Sequence, residues 1–279
     1  MTTVNCLMRR TGWALLMACL ACVGGPAMAE ERSIVLASTT TTEKTGLFAH
    51  LLPAFKQASG IEVKLHASST AQALEAARRG EADVVLVHDK VDEEKFMAEG
   101  FGLKRLEVMR NDFVLIGPAG DPAKAAGADV LAALRGLAAA KAAFVSRGDK
   151  SGTHAAELRL WKAAAVEAPA AAGVAYKECK CDMGHALAMA AAEHAYVLSD
   201  RGTWLGFKDR ADLAILVERD SRLVNPFAVM VVNPAKNPKA KREAAQAFAD
   251  WLVSAPGQKA IASYRVHGQA LFQPSVVTP

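Results

Sequence analysis

The chain has 279 residues, 52% of them hydrophobic and 22% charged, with a formal net charge of +4. This length and apolar content support one large or two medium α/β lobes with full cores. With 33 Lys and Arg against 29 Asp and Glu, the chain lacks the clustered basic excess of a nucleic-acid binder, and no nucleic-acid partner is expected.

The N-terminus sets the compartment. Arg9 and Arg10 precede an apolar run from Trp13 to Val23, and Ala27-Met28-Ala29 has the small-x-small pattern of a signal-peptidase site. Residues 1–29 therefore read as a signal peptide cleaved after Ala29, which makes this an exported, periplasmic protein. The run falls well short of the ~20 residues a spanning helix needs. The alternative is lipid attachment through Leu16-Met17-Ala18-Cys19. Cleavage removes two Arg and no acid, which leaves a net charge near +2, and it removes Cys6, Cys19 and Cys22. Only Cys179 and Cys181 remain, too few for a disulfide framework.

In the mature chain, Ser33–Ala37 reads as a buried strand and leads through Ser38-Thr39-Thr40-Thr41-Thr42 into a helix carrying Leu47, Phe48, Leu51, Leu52 and Phe55. Gly60 stops it, and 61–65 alternates as the next strand. The cycle repeats with a helix over 70–79, the apolar strand 83–87 and a helix over 93–99. Near-continuous Val and Leu strands alternating with helices are the mark of a parallel sheet covered on both faces. A strong strand at 111–118 ends in Gly-Pro, and Ala-rich helices follow at 130–140, 154–165 and 183–192, with strands at 143–146 and 195–199. An apolar strand over 226–232 precedes helices at 239–253 and 256–264. The breaker-bearing strands near 113–118 and 225–234 are natural crossings between lobes. The expected division is 30–116 with 225–279 as one lobe and 117–224 inserted as the other.

Open α/β sheets bind ligands beyond the carboxyl ends of their strands, which points to the loops after Ala37, Leu65, Ser146 and Ser199. Each is rich in hydroxyls, Arg or small residues. N-capping accounts for one Ser or Thr at a helix start, but 38–42 holds five hydroxyls, a surplus suited to a multivalent anion at a positive helix end. The stretch Val145-Ser-Arg-Gly-Asp-Lys-Ser-Gly-Thr-His154 places Arg147 before Ser151, Gly152 and Thr153. A guanidinium fork beside helix-start amides and hydroxyls suits a tetrahedral oxyanion. Its Ser, His and Asp could instead form a hydrolase triad, although no G-x-S-x-G elbow surrounds either serine. Ser199-Asp-Arg-Gly-Thr203 brings a second cation, Arg201, whose bland alternative is a surface ion pair. Cys179, Cys181 and His185 could hold a metal as a partial ligand set, or the cysteines could form a local disulfide.

Taken together, the sequence resembles the tungstate-binding substrate-binding proteins of ABC importers. The resemblance rests on the Thr run at 39–42, Leu-Leu-Pro-Ala-Phe (51–55), Ala-Asp-Val-Val-Leu-Val-His (82–88), Asn-Asp-Phe-Val-Leu-Ile-Gly-Pro (111–118), Ser-Arg-Gly-Asp-Lys-Ser-Gly-Thr-His (146–154), Asp-Arg-Gly-Thr (200–203) and Asn-Pro-Phe (225–227), in order along nearly the whole mature chain. It implies an α/β, two-lobed type II periplasmic binding protein fold, each lobe a doubly wound and mainly parallel sheet, joined by two hinge strands. It also implies a monomer without cofactor or catalytic activity that closes on tungstate or molybdate and delivers it to a membrane permease. By motif position the implied ligand contacts are Thr39, Thr40, Thr70, Arg147, Ser151, Thr153 and Arg201. Two segments depart from the family pattern. Ser69-Thr70-Ala71 replaces Gly-Thr-Gly, and Lys180-Cys181-Asp182-Met183-Gly184 replaces Gly-Gln-Gly-Met-Gly. Asp182 could accept a proton from hydrogen phosphate, which keeps phosphate as an alternative ligand.

Overall fold

The computed structural model describes residues 1, 2, 33–166 and 173–275. The signal peptide, its cleavage site and the first three cysteines lie outside the described residues. Glu31–Pro279 form one compact unit.

The first lobe follows the expected cycle. It runs β1 (Ser33–Thr39), α1 (Thr40–Lys44), α2 (Leu47–Ser59), β2 (Glu62–Ser68), α3 (Thr70–Arg78), β3 (Val84–Val87) and α4 (Lys90–Ala98). Strand β1 lies between β2 and β3, parallel to both. The long strand β4 (Gly102–Pro118) then leaves the lobe, and the second lobe follows with α5 (Val130–Ala139), β5 (Ala143–Ser146), α6 (Gly152–Ala163), β6 (Ala175–Glu178), α7 (Met183–Glu193), β7 (Tyr196–Asp200), α8 (Arg201–Gly206) and β8 (Leu213–Val217). Strand β5 is parallel to both β6 and β7. Strand β9 (Val224–Val232) returns the chain to the first lobe, where α9 (Arg242–Val253) and α10 (Ala255–Ser263) finish its cover.

Two strands carry the crossing. Up to Asp112, β4 pairs antiparallel with β9, and from Phe113 its partners are β7 and β8. Each lobe is thus parallel at its centre and antiparallel where it meets the hinge, a mixed sheet. Strand β4 starts earlier than hydropathy indicates because Lys104, Arg105 and Glu107 interrupt its apolar pattern while still pairing with β9 or reaching solvent.

Each lobe has its own core. Phe55 meets Phe248 edge-on at 5.0 Å in the first, and Phe144 meets Trp161 at 5.2 Å in the second. Each of these four rings is at most 1% exposed. Full burial of such a side chain is worth about 1.5–3 kcal/mol.

Candidate functional site

The helices that start at the strand ends facing the cleft are capped by side chains. Thr39 accepts the Thr42 amide, Ser69 accepts the Gln72 amide in a capping box, and Ser151 accepts the His154 amide. Capping therefore occupies one hydroxyl at each helix start. What remains is informative. Thr70, first residue of α3, is 1% exposed, and Thr153, in the first turn of α6, is also 1% exposed. Neither Oγ1 has a hydrogen-bond partner among the described residues. A buried hydroxyl without a partner costs roughly 1–3 kcal/mol, and both of these sit in the first turn of a helix, at its positive end.

Arg147 supplies the charge at the same place. It is 3% exposed; Nη2 donates to Asp149, Nη1 donates to Thr41 of the opposite lobe at 3.1 Å, and Nε lies 3.4 Å from the Cys181 carbonyl. A guanidinium has five N–H donors, so among the described residues these bonds leave one unengaged on each terminal nitrogen. Thr40 stands half-buried on α1 beside Thr41. The hydroxyls of Thr39 and Thr42 bond to each other at 2.7 Å.

His88, at the end of β3, is a cleft residue that the sequence reading does not single out. The signal is present, since Val87-His88 is a further strand end on the ligand-binding edge of the sheet. Its Nδ1 faces Asn225 Oδ1 at 3.1 Å, and Asn225 Nδ2 donates to Asn111 at 2.7 Å. Because Asn225 presents its oxygen to the ring, Nδ1 carries the proton. The ring stacks on Phe227 at 4.7 Å. Burial depresses its pKa to about 4, and nearby Arg147 acts in the same direction. The imidazole is neutral at pH 7 and puts no competing charge in the cleft. Gly152 faces it from the other lobe: a Cβ there would lie 2.9 Å from His88 Cε1 and 3.2 Å from Thr70 Oγ1. Behind Arg147, the Ser146 hydroxyl and Tyr176 both donate to Glu157, whose pKa burial raises to about 7.

Ion pairs span the cleft. Arg159 of α6 grips Asp89 of the first lobe at 2.9 and 3.3 Å, and Lys44 meets Asp182 at 2.6 Å. The Lys44–Asp182 pair is solvated and contributes about 1 kcal/mol or less, whereas the Asp89 carboxylate of the other pair is buried.

Several groups singled out in the sequence have partners of their own. Arg201 is one. Its Nε and Nη2 clasp Asp112, and Nη2 also bonds Glu218 at 2.8 Å, which neutralises its charge beside the point where β4 changes lobes. Asp182 is likewise engaged. One oxygen takes the amide and ring of His185 and the other takes Lys44, and these partners outweigh burial and hold the carboxyl below its usual range. Cys179 and Cys181 are joined as a disulfide, so they present no thiolates to a metal beside His185. No cluster of three or more His, Cys, Asp or Glu suited to a metal ion occurs among the described residues. The triad alternative is not assembled either, because Ser146 donates to Glu157 and the His154 ring accepts the Lys150 amide.

Comparison with known proteins shows the family. The PBP superfamily domain matches residues 25–256. The tungstate-binding protein TupA of Peptoclostridium acidaminophilum is 44% identical over 248 residues, covering 87% of this chain and 86% of that protein. TupA of Campylobacter jejuni is 32% identical over 241 residues, covering 83% and 87%. The solved structure of TupA from Desulfovibrio alaskensis G20 superposes with a TM-score of 0.79 at 39% identity, covering 88% of this chain and all of that one. The chain belongs to the tungstate-binding family of periplasmic substrate-binding proteins that serve ABC importers.

Proposed function

We propose that this protein captures tungstate, and less tightly molybdate, in the periplasm and hands it to the membrane permease of an ABC importer, acting as a monomer without cofactor or catalysis. The observation that carries the reading is the pair of buried, partnerless hydroxyls on Thr70 and Thr153 beside the buried guanidinium of Arg147. A tetrahedral dianion supplies acceptors to both hydroxyls, to the free Arg147 N–H groups and to the first-turn amides of α3 and α6. Thr39, Thr40 and Ser151 also contribute to the anion site in this reading, while Arg201, bound to Asp112 and Glu218, acts chiefly at the hinge. In this reading residues 117–224 swing as an inserted lobe against 30–116 and 225–279, and closure removes the anion from water.

Phosphate is the natural competitor. Hydrogen phosphate carries a proton that needs an acceptor, and the carboxylate expected to provide it, Asp182, is occupied by Lys44 and His185. Tungstate carries no such proton at neutral pH, which favours it here. Thermal unfolding with each oxyanion tests the proposal. A ligand at 100 times its Kd stabilises by about 2.7 kcal/mol, so tungstate should raise the midpoint by several degrees where sulfate and phosphate at equal concentration do not. Equal shifts with all four anions would contradict the proposal.

A further inference from the structure

The cysteine pair, which overlaps the departing segment 180–184, lies directly against Arg147. The Cys179 amide donates to the Ser146 carbonyl at 2.9 Å, and the Cys181 amide donates to the Arg147 carbonyl at 3.2 Å. The Cys181 carbonyl faces Arg147 Nε, so the backbone on both sides of this guanidinium rests on the cysteine pair. Cys179 Sγ lies 3.6 Å from the Arg147 carbonyl. The packing is close enough that a Cβ on Gly148, at φ +61, would lie 2.7 Å from Glu178 Cβ. Between the cysteines, Lys180 adopts φ +53, a left-handed conformation unusual for a residue with a side chain. The Cys179–Cys181 bond closes a ring around it.

So short a loop removes little entropy from the unfolded chain, so global stability is a minor effect of this bond. Its effect is local. Without it, Lys180 relaxes toward common backbone angles, and the Cys181 carbonyl and amide that hold Arg147 shift with it. We propose that the Cys179–Cys181 disulfide is a positioning element for Arg147, so that oxyanion affinity depends on the oxidation state of this pair. This inference rests on the cleft being an oxyanion site. Reduction by a dithiol breaks the S–S bond, transfers two electrons and two protons to form two thiols, and converts the dithiol to its own disulfide. After removal of residues 1–29 these are the only cysteines, so a reductant acts at this bond alone.

The test is calorimetric titration of the purified exported protein with tungstate, in four forms: unsubstituted, Cys179→Ser/Cys181→Ser, Arg147→Lys, and all three substitutions combined. Supporting groups of this kind are worth roughly 10–100-fold at metal sites. Loss of the disulfide should weaken tungstate binding about tenfold when Arg147 is intact and within about twofold when Arg147→Lys is already present. Equal losses in both backgrounds, or none in the first, would overturn the inference. If Arg147→Lys binds too weakly to titrate, dithiothreitol decides. Affinity should fall about tenfold on reduction and recover on reoxidation, with the unfolding midpoint of the free protein within a few degrees, whereas unchanged affinity refutes the role. Failure of the oxidised, unsubstituted protein to bind tungstate would instead overturn the proposed function.

Discussion

Gly152→Ala separates closure of the lobes from their folding. The added methyl would meet His88 Cε1 at 2.9 Å, His88 Nδ1 at 3.1 Å and Thr70 Oγ1 at 3.2 Å, and all of these atoms belong to the opposite lobe. The His88 ring cannot easily yield, because Asn225 holds its Nδ1 and Phe227 stacks on its face. Thr70 is buried at the start of α3 and has no slack either. Overpacking of this kind costs about 1–3 kcal/mol, and here the cost falls only on the closed state. Alanine is also a better helix former than glycine by up to about 1 kcal/mol, so the free protein should unfold at the same temperature or slightly higher. The expected outcome is a roughly 5- to 150-fold loss of tungstate affinity, since about 1.4 kcal/mol is tenfold, with an unchanged or raised midpoint for the ligand-free protein. Isothermal calorimetry and thermal unfolding on the same sample provide both readings. Undiminished affinity, or a fall in the ligand-free midpoint that accounts for the lost affinity, would refute the reasoning.

Arg147→Ala strands Asp149 and removes the central cation, so affinity should fall at least about 30-fold, the lower end of about 2–5 kcal/mol for truncating one member of a buried charge pair; calorimetry checks it. Arg201→Ala leaves Asp112 and Glu218 facing each other across the hinge, and should lower the unfolding midpoint by a few degrees while changing affinity less than Arg147→Ala does. Glu157 binds its proton more tightly folded than unfolded, its pKa rising from 4.5 to about 7. Its contribution is therefore full below pH 4.5 and lost as pH rises through 7, on the order of 3 kcal/mol. Glu157→Gln should flatten the dependence of stability on pH between those values, as measured by denaturant unfolding.

The fold is legible in the sequence because its signals are local. Strands such as Val84–Val87 are apolar throughout, and Gly60, Gly80 and Gly100 stop helices where the pattern places their ends. The hydroxyl-rich helix starts can be read for the same reason, although sequence does not say which hydroxyl caps and which is left over. That choice appears only in three dimensions, where Ser69 and Ser151 cap and Thr70 and Thr153 stay unpaired. The charged residues are harder to read because their partners are distant in the chain. Arg201 meets Asp112 across 89 positions, and Asp182 meets Lys44 across 138. The cysteine pair has two chemically reasonable fates at a spacing that fits either, and the folded chain joins the two as a disulfide. His88 escapes a sequence reading because an apolar strand followed by His-Asp looks like an ordinary strand end, because the burial that keeps it neutral appears only in the fold, and because its hydrogen-bond partner, Asn225, is 137 residues away.

The central claim is the proposal that Thr70, Thr153 and Arg147 together bind a fully deprotonated tetrahedral dianion. Calorimetric titration of the oxidised mature protein with tungstate, molybdate, sulfate and phosphate at neutral pH tests this most directly. The account predicts that tungstate binds most tightly, molybdate follows, and sulfate and phosphate are weaker. Phosphate as the tightest ligand, or no anion binding tighter than about millimolar, roughly −4 kcal/mol, would contradict it.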